Sequence, residues 1–86
     1  MKKIIDKLEK DGHFSASRLL ERWQRIIDYR LKNDLEGLKD YMGESYAFAS
    51  RDFRDFVIKA PVEEIERRAI GIAAFHYPEL KDYFNV

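Results

Sequence analysis

Cysteine is absent from the 86 residues of this chain. That excludes disulfide staples, thiol nucleophiles and cysteine-ligated zinc together, and it fits a reducing compartment. Glycine occurs four times and proline twice, with no cluster that reads as a flexible or polyproline linker. Histidine is limited to His13 and His76, and neither belongs to an HExxH or other metal-ligand spacing. There is no glycine-rich phosphate loop and no Gly-x-Ser-x-Gly elbow. An excess of either charge is missing too. Sixteen basic residues face sixteen acidic ones, so no global field draws nucleic acid or an anionic membrane. No stretch approaches the ~20 apolar residues that span a bilayer. The opening "MKKIIDKLEKDG" is charged and lacks the apolar run of a secretory signal. Sustained strand alternation is also lacking. These gaps together predict a soluble, cytoplasmic chain that is not an enzyme and holds no cofactor or metal.

What is present is a high density of both apolar and charged residues, 45% and 37%. Disorder needs low hydrophobicity and excess net charge, so this balance predicts a folded protein. The length suits one domain over residues 1–86, with a modest core.

Helical periodicity accounts for nearly the whole chain. Residues 2–10 place Ile4, Ile5 and Leu8 on one stripe, and Gly12 suits a left-handed C-cap. Ser15 suits an N-cap, with Phe14 and Leu19 spaced as a hydrophobic staple. The helix that follows, about 16–32, gathers Leu19, Leu20, Trp23, Ile26, Ile27 and Leu31 on one face. Arg30 falls inside that apolar arc, where it either snorkels outward or meets a carboxylate. Asn33 or Asp34 suits the cap of "LEGLKDYM", and Gly43 suits its stop. A fourth helix is expected over about 46–59. A fifth is expected to take Pro61 into its first turn, with Glu63 and Glu64 beside it, and to reach about Phe75. Pro78 starts a last turn or two. The fold predicted is an all-α, compact single-domain bundle of five to six short helices with crossed packing.

The repeat in "SRDFRDFVIKAP" follows from the helical period. Tyr46, Phe53, Phe56, Val57 and Ala60 share one side, and Arg51, Asp55 and Lys59 the other. Phe48 and Ile58 break the pattern and point to a second buried surface. In "AIGIAAFHYPEL" the fifth helix is apolar nearly all round, which predicts central burial. Gly71 there suits close approach of a neighbouring helix, and His76 suits a helix C-terminus.

Twelve aromatics in 86 residues are a surplus over what these stripes hold. Tyr29, Phe48, Ile58, Tyr77 and Tyr83 are expected to be exposed and to anchor a protein partner or a second copy, as in a dimer. The function expected is therefore that of a non-enzymatic interaction module: an adaptor, an inhibitor or an assembly or regulatory subunit. The alternative is a nucleic-acid-binding protein. Arg18, Arg22, Arg25, Tyr29 and Lys32 form a basic stripe opposite the apolar face, where Tyr29 is placed to stack on a base. Glu21 and Asp28 sit beside that stripe and are expected to pair with it.

Overall fold

The protein is described by a computed structural model over residues 1–43 and 51–84. These residues form α1 (Lys2–Lys10), α2 (Phe14–Leu31), α3 (Leu35–Gly43), α4 (Arg51–Lys59), α5 (Val62–His76), a 3-10 turn (Pro78–Leu80) and α6 (Lys81–Phe84). No strand occurs among them, and the architecture is an all-α bundle. The expected Tyr46 and Phe48 positions lie outside the described residues.

The 18 residues of α2 organise the rest. Its apolar stripe is wide enough to pack against α1, α3 and α5. Leu20 and Ile26 are fully buried on it, and Trp23 and Ile27 nearly so. The core also takes in Ile5 and Leu8 of α1, Leu38 and Met42 of α3, Val57 of α4, Ile65, Ala69 and Ala73 of α5, and Leu80 and Phe84 near the C-terminal end. Truncating a leucine buried this deeply typically costs about 2–5 kcal/mol. The helix α4 enters through side chains: Phe53 meets Trp23 edge to face, with ring centroids 5.2 Å apart. Among the described residues Ser17 is the one buried polar residue, and its hydroxyl donates to the Phe14 carbonyl at 3.0 Å.

Two successive turns have the same build. At the end of α1, Gly12 takes φ +83°. The His13 amide then donates to the Leu8 carbonyl at 2.8 Å and the Gly12 amide to Glu9 at 3.1 Å. This is the paired 6→1 and 5→2 closure of a Schellman motif. At the end of α2, Asn33 takes the left-handed position at φ 56°. Here Asp34 N–H donates to the Tyr29 carbonyl at 2.9 Å and Asn33 N–H to Arg30 at 3.1 Å. Asp34 then starts α3: its Oδ1 accepts from Gly37 N–H at 2.9 Å, an N-cap bond to the third residue of the helix.

Several expectations are corrected. The long helix starts at Phe14, one residue after the Schellman closure, so Ser15 is not its cap. Phe14 is 56% exposed and staples nothing. Leu31 is 68% exposed rather than in the core. Pro61 is the N-cap residue of α5, at φ −59° and ψ 147°, and Val62 is its first helical residue.

Candidate functional site

The residues expected to be exposed anchors are instead half-covered. Tyr29, Ile58, Tyr77 and Tyr83 are all partly buried against the core. The physical reason is local in each case. Tyr29 lies between α2 and α3, against Tyr41 with centroids 5.9 Å apart and against the open side of Gly37. Tyr83 folds back on the first turn, where its hydroxyl donates to Asp11 Oδ2 and its ring meets His13 edge to face at 5.4 Å. Donation to the carboxylate raises the Tyr83 pKa above 10.0. Ile58 and Tyr77 pack onto core residues from the rim. Phe48 lies outside the described residues.

The large apolar side chains that do face solvent are others: Phe14, Leu31, Leu35 and Phe75. Phe75 was expected inside. The second half of α5 is not central; only Ala69 and Ala73 are fully covered there, while Gly71, Phe75 and His76 are exposed. Nothing approaches Gly71, so no neighbouring helix needs its missing side chain. Phe75 leans edge-on against His76 at 5.5 Å. With Arg68, Gly71 and Ile72 they line a shallow depression. Arg68 itself stacks over the Phe56 ring at 4.4 Å, a cation–π contact that covers part of α4.

A larger concavity lies on another side. A groove of about 500 Å3 runs where α1, α2 and α5 converge. Ile4, Ile27, Leu31, Val62 and Ile70 supply its apolar lining, with Lys2, Lys3 and Glu66 also on its walls. The Met1 amino group donates to Glu66 Oε1 at 3.1 Å across it. Helical spacing explains this groove. Ile27 and Leu31 are one turn apart on α2, and Val62, Glu66 and Ile70 are one turn apart on α5. Each helix thus turns apolar residues toward the same gap, with Glu66 between Val62 and Ile70 on α5. The sequence signal was Leu31 itself, an apolar residue one turn beyond the last core contact.

The basic stripe forms a ridge. Arg18, Arg22, Arg25 and Lys32 are exposed along one face of α2, whereas Tyr29 is held by Tyr41 and does not stand free. Arg25 lies 6.0 Å from the Tyr41 ring centre. Burial raises the Tyr41 pKa, and the nearby Arg25 and Arg22 lower it in opposition. Glu21 and Asp28 do not pair with this ridge as expected. Asp28 accepts from Gln24 Nε2 at 2.9 Å. The Glu9 pKa is raised above 4.5, first by hydrogen bonding toward Glu21, with burial and the charges of Glu21 and Asp6 adding to the rise.

Arg30 takes neither of the roles expected of it. Its Nη1 donates to the Val57 carbonyl at 2.7 Å. Among the described residues, no group of three or more His, Cys, Asp or Glu is placed to hold a metal ion, and no helix is long and apolar enough to cross a membrane. No protein-family model, curated protein or solved structure matches this chain.

Proposed function

We propose that this chain is a non-enzymatic interaction module that receives an apolar helix of a partner protein in the α1–α2–α5 groove. The observation that carries this reading is the groove's lining: five aliphatic residues on three helices around an open volume of about 500 Å3. A surface of this kind matches helix-in-groove recognition, where anchors at i, i+3, i+4 and i+7 enter a hydrophobic trough. Leu31, 68% exposed, is the most exposed of the groove's five aliphatic residues. Lys2 and Lys3 beside the groove favour a partner helix flanked by acidic residues. A second copy of the chain is the self-association form of the same reading.

The test places a photo-crosslinking residue at Leu31 in the full chain in its native cells. A discrete crosslinked protein, or a crosslinked homodimer, is expected. It should disappear in the Ile70→Glu variant and persist in Phe75→Glu, which alters the other exposed apolar patch. A chain that stays monomeric by light scattering and yields no Leu31 adduct overturns the reading.

A further inference from the structure

We infer that the α2 ridge is a docking track for the phosphate backbone of a nucleic-acid duplex, read without regard to base sequence. Arg18 to Lys32 covers 14 helical steps, about 21 Å of helix axis. Each of the four cations on it is exposed, and none lies in an ion pair with a described carboxylate. Asp28 borders the ridge, lining one depression with Arg25, Tyr29 and Lys32, but its Oδ1 accepts from Gln24 Nε2 at 2.9 Å rather than from a ridge cation.

The chemistry of the ridge selects its occupant. Three of its four cations are arginines, whose planar donor fork suits phosphate oxygens. All four are donors with no acceptor capacity. A matching surface must offer acceptors in a continuous row, and a nucleic-acid strand presents one phosphate per ~3.4 Å of axis. The ridge is convex, being the outer crest of a single helix, and a duplex groove about 12 Å wide accepts such a crest. Single-strand binding relies on aromatic platforms for bases. Tyr29, the aromatic of this stripe, is engaged with Tyr41 and offers no such platform. The chain's zero formal charge leaves attraction to this one face, so binding is weak at physiological salt and steep in its salt dependence.

The test is fluorescence anisotropy of the full chain with a labelled duplex of arbitrary sequence, titrated across salt. Four phosphate contacts predict a slope of log K against log salt of about −3.6, and so a loss on the order of 100-fold between about 50 and 200 mM salt. The variant R18Q/R22Q/K32Q, which leaves Arg25 on Tyr41, should reduce the slope to about −1. Far-ultraviolet circular dichroism checks its fold, and the single reversal Arg22→Glu provides a second, milder probe that should weaken duplex binding alone. Three results overturn the inference: no duplex binding at the lowest salt, equal binding by the wild type and both variants, or binding to phosphatidylserine vesicles with none to duplex.

Discussion

Arg30 closes the end of a helix to which it does not belong. Its guanidinium donates to the Val57 carbonyl of α4 at 2.7 Å. An α-helix would give that carbonyl the amide of residue 61, and residue 61 is proline, which has none. Arg30 therefore satisfies an acceptor left open by Pro61, and brings a cation to the negative end of α4. Arg30→Met should keep the stem packing and lose the bond. A half-buried, charge-assisted hydrogen bond of this kind is worth about 1.5–3 kcal/mol. Urea unfolding should show the midpoint falling with an unchanged slope. A midpoint equal to wild type would mean water replaces the guanidinium without cost.

Gly37 and Gly71 should respond oppositely to alanine. A Cβ on Gly37 would run into the Asp34 carboxylate and lie 2.8 Å from Cε1 of Tyr29. Relief requires giving up the N-cap of α3, at a cost of about 0.5–2 kcal/mol. Gly71 is exposed in mid-helix with nothing within 4 Å of such a Cβ. There the substitution should gain about 0.5–1 kcal/mol from helix propensity. Thermal melts of the two single variants on either side of wild type check both statements.

Glu9 gives a pH dependence of the less common sign. Its pKa in the folded protein is raised above 4.5, first by the hydrogen bond with Glu21. A carboxyl with a raised folded pKa contributes stability below its unfolded pKa and loses that contribution as pH rises through the folded pKa. Glu9→Gln should therefore melt higher than wild type at pH 7, and the gap should close as pH falls through about 4.5. A gap independent of pH would rule out the carboxyl pair as its origin.

Tyr83 behaves likewise at the alkaline end. Donation to Asp11 holds its proton and raises its pKa above 10.0. The contribution is present below the unfolded pKa and lost as pH rises beyond the folded one. Tyr83→Phe should lower the melting temperature at neutral pH, and the difference should vanish above the phenol's titration. Ultraviolet titration of the wild-type phenols should show two ionising late, Tyr83 and Tyr41, and Tyr83→Phe should leave one.

Element positions were legible because periodicity records them directly. The stripe Leu20, Trp23, Ile26 and Ile27 states which face of α2 is covered, and the wheel of Phe53, Phe56, Val57 and Ala60 states the same for α4. Which helix covers a face was not legible, since that depends on where neighbours end. Leu31 lies on the apolar arc yet protrudes, because it borders the open groove between α1 and α5 rather than their contact. Phe75 sits in an apolar run yet faces water, because α5 is flanked rather than enclosed. Tyr29 and Tyr83 drew attention as surplus aromatics, but each has a polar tip and an apolar ring, which suits half-burial at a rim as well as a binding surface. The groove had no sequence motif because its walls come from three helices, each contributing one or two turns.

Asp34 ends one helix and begins the next. Its amide closes α2 on Tyr29, while its carboxylate and its carbonyl receive the first amides of α3, from Gly37 and Leu38. Rotating this one backbone unit releases both helix ends at once, so neither can fray alone. In hydrogen exchange the amides of Asp34, Gly37 and Leu38 should open as a single event, with similar protection and the same response to denaturant. The last turn of α2 and all of α3 thus form one cooperative opening unit, hinged on an aspartate.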